Sequence, residues 1–261
     1  MGILDKIISA KKDRIENQKK LVSIETLKKN NLNYEKFLPL ENILSQKNVL
    51  ISEMKRQSPS GGNLDQKLNP KEQAKMYIEA GTDAISVLTE EDYFKGNNND
   101  LNEVLQISKN KNIPVLQKDF IIDEYQIYQA KNLGADCILL ITRILSLKKF
   151  IKFYTIATSI GLSVIVEIFD EKELDFALKA DIKILGINNR NLDTLQTDLS
   201  NFEKISSLAP KNIYKIAESG IKNSLDAKRM IQAGANGLLV GESIMKSNDR
   251  YKIIKEISSN E

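Results

Sequence analysis

A closed (β/α)8 TIM barrel, an α/β fold, is predicted by three features: eight short apolar, often β-branched runs, helical spacing between them, and glycines where several helices should end. The runs begin about 20 to 35 residues apart, as βαβ crossovers in a parallel sheet require. Their continuous apolarity fits strands buried on both faces. No G-x-G-x-x-G turn follows the first run, which favours the closed barrel over an open doubly wound sheet. The 261 residues match the length of one such barrel. Residues 1–261 are therefore expected to form one domain, with 1–48 as a helical extension ahead of eight βα units in 49–261.

Taken in order, Ile3 to about Lys19 carries Ile3, Leu4, Ile7, Ile8 and Ile15 on one helical face, which predicts a helix packed over the barrel. Its lysine-rich opposite face leaves a membrane-surface or partner helix as the alternative. The first strand, Val49 to Ile51, leads into Ser52-Glu53-Met54-Lys55 and a turn-rich loop, Ser58-Pro59-Ser60-Gly61-Gly62. A helix over Lys71 to Ala80 precedes the strand Ala84 to Leu88, and Ile113 to Leu116 runs into Gln117 and Lys118. Tyr125 to Leu133 is helical and Cys137 to Ile141 a strand; Leu147 to Ile160 is helical and Ser163 to Val166 a strand ending at Glu167. Glu171 to Ala180 is expected as helix, and Ile182 to Ile187 as a strand ending in Asn188-Asn189-Arg190-Asn191. Tyr214 to Ala217 ends in Glu218-Ser219-Gly220; after a helix over Ser224 to Ala233, Gly237 to Val240 ends in Gly241-Glu242-Ser243. Gly81, Gly134, Gly161 and Gly234 stand where left-handed helix caps are needed.

Composition narrows the function. Net charge is +3, and the 38 Lys and Arg are interspersed with 35 Asp and Glu, which argues against a nucleic-acid stripe. Apolar runs are strand-sized, no charged-then-apolar leader opens the chain, and Lys6 breaks a myristoylation motif that Gly2 would start. A soluble cytoplasmic protein, monomer or homodimer, is the expectation. The single cysteine, Cys137, excludes an intramolecular disulfide and reads as a buried strand residue. There is no histidine, so proton transfer near neutrality falls to Glu, Asp, Lys, Tyr or Cys, and His-based triads and most zinc sites are excluded.

Charged groups at the ends of several buried strands point to an active site on the carboxyl face of the barrel. Glu53 and Lys55, two apart, share one side of their strand, either as active-site groups or as an ion pair at the barrel mouth. The Ser58 to Gly62 loop is either a lid or a plain surface loop. Lys118 and Glu167 form a complementary pair, because burial lowers a lysine pKa and raises a glutamate pKa toward neutrality. The Asn188 to Asn191 cluster can orient hydroxyls and, through Arg190, grip carboxylates, although Asn191 also fits a helix cap. Ser219, Gly220, Gly241, Glu242 and Ser243 fall where such barrels often bind phosphate, or form paired tight turns.

These segments resemble the indole-3-glycerol-phosphate synthase family of tryptophan biosynthesis. The resemblance rests on Glu53 to Ser60, Ser86 to Phe94, Pro114 to Gln129, Val166-Glu167, Gly186 to Leu192, Ala217 to Ile221 and Leu239 to Met245, in order from first strand to last. It also covers the extra N-terminal helix. It implies a carboxy-lyase that converts 1-(2-carboxyphenylamino)-1-deoxyribulose 5-phosphate to indole-3-glycerol phosphate without a cofactor or metal. It further implies Lys118 as general acid, Glu167 as general base, and Lys55 on the substrate carboxylate with Glu53 nearby. Asn188 and Glu218 would hold the hydroxylated chain, and Ser219, Gly220, Gly241, Glu242 and Ser243 the phosphate. Pro59, beside Ser58, would line the ring slot with Phe94, Phe120, Leu139 and Leu192. The sequence departs from the family pattern at Phe169, where histidine is common, at Gln117, where arginine is common, and at Gly61, where lysine is frequent. With no tryptophan in the chain, any N-terminal Trp contact must be missing or replaced. Two rival readings are weighed. A phosphoribosylanthranilate isomerase would want a Cys/Asp pair, and a catalytically inactive metabolite-binding barrel would have a broken acid–base set.

Overall fold

The computed structural model describes residues 2–30 and 37–259. Helices α1 (Ile3–Leu21), α2 (Ile24–Asn30) and α3 (Leu40–Leu44) precede β1 (Val49–Met54), α4 (Pro70–Glu79), β2 (Ala84–Leu88) and α5 (Asn98–Ser108). There follow β3 (Val115–Lys118), α6 (Glu124–Leu133), β4 (Cys137–Ile141), α7 (Leu147–Ser159), β5 (Ser163–Ile168), α8 (Glu171–Ala177) and β6 (Ile184–Asn188). Last come α9 (Ser200–Leu208), β7 (Tyr214–Glu218), α10 (Ser224–Gln232), β8 (Gly237–Val240), α11 (Glu242–Lys246) and α12 (Arg250–Ser258). The eight strands close into one parallel barrel in chain order, with β1 paired to both β2 and β8. Within the 1–48 extension, Met1 and 31–36 lie outside the described residues.

Alternation along each strand sorts its side chains into two cores. Val49, Ile51, Leu116, Cys137, Leu139, Ile165, Ile184, Ile216 and Leu239 fill the lumen, plugged from below by Leu40 and Leu44 of α3. The intervening residues, such as Leu50, Val87, Ile138, Val166 and Leu185, pack outward against the helices. Parity then carries the lumen positions upward to Glu53, Lys118, Glu167, Asn188 and Glu218, the last turn of five different strands. Cys137 sits low in the lumen, fully buried, and burial pushes its thiol well above the usual range, as suits an inert packing residue.

Helix boundaries follow local chemistry. Asn69, Asn97, Asp123, Ser146, Asp170, Asn223 and Asp249 each accept a first-turn backbone N–H as N-caps. Gly81, Gly134, Gly161 and Gly234 all take left-handed φ, between +81° and +97°, as their spacing predicts. Two expectations need correction. Helix α8 stops at Ala177 rather than Ala180, because tight turns (Lys179 N to Phe176 O, Ala180 N to Ala177 O) swing the chain toward β6, which itself starts at Ile184 rather than Ile182. The Ser58 to Gly62 segment is not a free loop but the tip of a two-residue ladder joining Gln57–Ser58 to Gly62–Asn63.

Asp136, fully buried before β4, ties the extension to the barrel floor. Its carboxylate accepts N–H groups of Leu38 and Val115, each at 3.0 Å, with Lys109 Nζ at 3.5 Å. Asp136→Ala would strand both N–H groups in an apolar setting, so a loss of about 2 to 4 kcal/mol in unfolding free energy by urea titration is expected. A loss below about 0.5 kcal/mol would mean that water replaces the carboxylate.

Candidate active site

One cavity opens at the carboxyl ends of the strands, and every residue given a catalytic, substrate-binding or phosphate-binding role from the sequence lines it. Glu53 and Lys55 contribute from β1; Phe94 follows β2; Lys118 and Phe120 come from β3 and its loop; Leu139 and Glu167 come from β4 and β5. Asn188, Arg190 and Leu192 come from β6 and the segment after it, Glu218, Ser219 and Gly220 from the end of β7, and Gly241, Glu242 and Ser243 from beyond β8. Ser58, Pro59 and Ser60 lie at the rim. The departures Phe169, Gln117 and Gly61 do not line it. Phe169 lies under the Arg143 guanidinium, 5.6 Å from ring centroid to Cζ, and Gln117 faces Thr89 and Asn98. At Gly61 a Cβ would press on Ser58 Oγ, so a lysine there would need the loop to shift.

Lys118 is the centre of charge. Its Nζ lies 3.1 Å from Glu218 Oε2 and 3.3 Å from Glu167 Oε2. The sequence-based expectation that burial would lower its pKa is overturned: burial does work against the ammonium, but Glu218, Glu167 and Glu53 together outweigh it and drive the pKa up. Lys118 is therefore a cation throughout the physiological range. Glu218 moves as expected for a buried carboxyl, up to about 8, because burial and the neighbouring Glu167 charge outweigh the pull of Lys118. Near neutrality Glu218 therefore keeps its proton beside the Lys118 ammonium. Asn188 Nδ2 donates to Glu167 Oε1 at 3.3 Å and orients it.

On β1, Lys55 Nζ meets Glu53 Oε1 at 2.5 Å, so the ion-pair reading and the cavity reading hold together. Burial alone would raise the Glu53 pKa, but Lys55 and then Lys118 hold it below the usual carboxylate range. Two glycines make these buried carboxylates possible. A Cβ on Gly186 would collide with the Glu218 carboxylate, and one on Gly241 with that of Glu53.

At the far end Ser219 and Gly220 both take left-handed φ, +65° and +84°, and α11 begins after Gly241. The Arg190 guanidinium donates to Glu242 Oε2 at 2.8 Å, to Thr197 Oγ1 at 3.2 Å and to Ser60 Oγ, joining the loops after β1, β6 and β8. Arg190 and Lys246 hold the Glu242 carboxyl down at about 2, although burial opposes them. Asn189 and Asn191 serve structure instead. Asn189 Oδ1 accepts the Phe202 amide, and Asn191 Oδ1 accepts Asp193 and Thr194 in a turn rather than capping a helix.

Sequence reasoning missed the N-terminal wall. Ile3, Leu4 and Ile7 of α1 line the cavity, an apolar N-terminal contribution in a chain without tryptophan. The apolar stripe was visible, but not which of its residues overhang the mouth. Among the described residues no helix is long and apolar enough to cross a membrane.

The raised Glu218 pKa fixes a pH dependence. The folded value, about 8, exceeds the ordinary 4.5, so the contribution to stability is complete below 4.5 and is lost as pH rises through about 8. Chemical denaturation from pH 5 to pH 9 is expected to show wild-type stability falling on this account, with a shallower fall in Glu218→Gln. Equal slopes in the two proteins would place the proton elsewhere.

A closed parallel barrel with a lysine–carboxylate cavity at its carboxyl end defines a (β/α)8-barrel enzyme. Among solved structures the fold is shared with 3-hexulose-6-phosphate synthase from Salmonella typhimurium (TM-score 0.64, 15% identity, 80% of this chain and 96% of that one). It is shared too with thiamine phosphate pyrophosphorylase from Pyrococcus furiosus (TM-score 0.62, 18% identity, 84% of this chain and 95% of that one). The family model for indole-3-glycerol phosphate synthase matches residues 4–257. Proteins of that name from Lachnoclostridium phytofermentans (40% identity, 98% of this chain, 99% of that protein) and Clostridium kluyveri (43%, 97% of each) are similar over their whole lengths. The chain belongs to the indole-3-glycerol phosphate synthase family, carboxy-lyases of tryptophan biosynthesis.

Proposed function

We propose that the chain closes the indole ring of 1-(2-carboxyphenylamino)-1-deoxyribulose 5-phosphate, releasing carbon dioxide and water, with Lys118 and Glu167 as the proton-transfer pair. The observation that carries this reading is the Lys118 ammonium held 3.3 Å from Glu167 at the base of a cavity with an apolar end and a glycine-rich end. The ring would occupy the side formed by Pro59, Phe94, Phe120, Leu139 and Leu192, where the Phe94 and Phe120 centroids lie 6.0 Å apart. Phosphate would sit against Ser219, Gly220, Gly241, Glu242 and Ser243.

In this orientation the ring carbon bearing the carboxylate attacks the substrate ketone. A carbon–carbon bond forms, and the carbonyl electron pair moves to oxygen, where the Lys118 ammonium stabilises the charge and supplies a proton. Carbon dioxide departs, leaving its bonding pair to restore the aromatic ring. The new hydroxyl takes a second proton, from the Lys55 ammonium freed when carbon dioxide departs, and leaves as water, while Glu167 takes a proton from the adjacent methylene to complete the indole. Lys55 would receive the substrate carboxylate, releasing its hold on Glu53, and protonated Glu218 and Asn188 would bind the hydroxylated chain.

The test is turnover of the synthetic substrate by the purified protein, followed by indole fluorescence. Indole product supports the reading. Binding without turnover would favour a metabolite-binding barrel.

A further inference from the structure

The reaction described above leaves one buried ion pair unused. Lys11, on α1, places Nζ 2.7 Å from Asp119 Oδ1, and both side chains are more than nine-tenths buried. Asp119 directly follows Lys118. Its carboxylate also accepts Thr89 Oγ1 at 2.6 Å and the Phe120 amide at 2.7 Å, and Thr89 N donates to Lys118 O at 3.1 Å. Asp119 thus holds the Phe120 amide directly and, through Thr89, is tied to the Lys118 carbonyl. Lys11 lies one helical turn beyond Ile7, which lines the cavity, and one turn before Arg14, which pairs with Glu91 and Asp92 in the loop bearing Phe94.

We infer that Lys11 is a positioning residue for the reaction: through Asp119 it fixes the aim of Lys118 and Phe120, so that seating of α1 over the cavity and alignment of the acid are one event. This rests on the acid role given to Lys118 above. A buried pair of this kind is costly in stability relative to apolar replacements. Its retention beside the reacting groups is explained by geometry, since small misplacements of a reacting group cost about 10²-fold in rate.

The experiment compares wild type, Lys11→Met, Lys11→Arg, Asp119→Asn and the Lys11→Met/Asp119→Asn double variant, each checked for folding by circular dichroism. Steady-state kinetics and amide exchange of substrate-free protein are measured together. Lys11→Met is expected to lose about 10-fold to 100-fold in kcat with a smaller change in KM. Lys11→Arg should recover most of it, and the double variant should be no worse than the poorer single. Exchange at the Phe120 amide should quicken in Lys11→Met while the β4 amides hold. A Lys11→Met kcat within twofold of wild type, or losses that multiply in the double variant, would overturn the inference. If wild type shows no turnover, the reading of the reaction fails instead, and unchanged Phe120 exchange would then overturn the positioning role independently.

Discussion

Lys118→Ala is expected to lower indole formation by about 10³-fold or more, mostly in kcat. Two contributions disappear at once. The proton donor is worth about 10² to 10⁴, and a pre-placed cation facing a developing alkoxide about 10² to 10³, and they overlap because one group supplies both. Arginine should not restore the rate, because the guanidinium is planar, wider and a poorer proton donor. The variant should also fold less stably at high pH than at low pH. Without Lys118, Glu218 loses the cation lying 3.1 Å from it, which in the wild type opposes the upward pull of burial, so it is still easier to bury protonated. Single-turnover fluorescence and denaturation at two pH values would check both halves. A variant retaining a tenth of wild-type kcat would move the acid role to Lys55.

Glu167→Gln should cost about 10² to 10⁴ in kcat while leaving the fold almost intact. The amide oxygen can still accept from Asn188 or Lys118, so shape and hydrogen bonds persist and only the base is lost. The charge on Lys118 is not orphaned either. With the Glu167 charge gone, the pKa of Glu218 should fall from about 8, letting that carboxyl ionise and pair with Lys118. Loss of turnover with near-wild-type stability is the expected signature, measured by steady-state kinetics beside urea denaturation. Near-normal turnover would require another base, for which the newly ionised Glu218, 3.1 Å from Lys118, is a candidate.

Much of the site was legible because barrel strands impose a simple rule. Once eight runs are found, alternation puts Glu53, Glu167 and Glu218 on the lumen side at the same end, and the cavity gathers them with Lys118 and Asn188. The helices legible from spacing have apolar periodicity, and four of them end at glycine. Spacing does not single out helices α2, α3, α5, α9, α11 and α12, and α3 and α11 are only five residues long. The Ser58 to Gly62 ladder is not legible in the sequence because two-residue strands carry no periodicity.

Local patterning therefore specified the barrel, its orientation and the identity of its charged mouth, since periods of 2 and 3.6 depend only on neighbours in the chain. It could not specify protonation. Lys118 is paired with carboxylates 49 and 100 residues away, and these two together with Glu53 reverse the shift that burial alone predicts. Nor could it show that Gly186 and Gly241 clear space for Glu218 and Glu53, or that Lys11 reaches Asp119. Electrostatic energy and close packing depend on distances between distant chain segments, and those distances exist only once the barrel has closed.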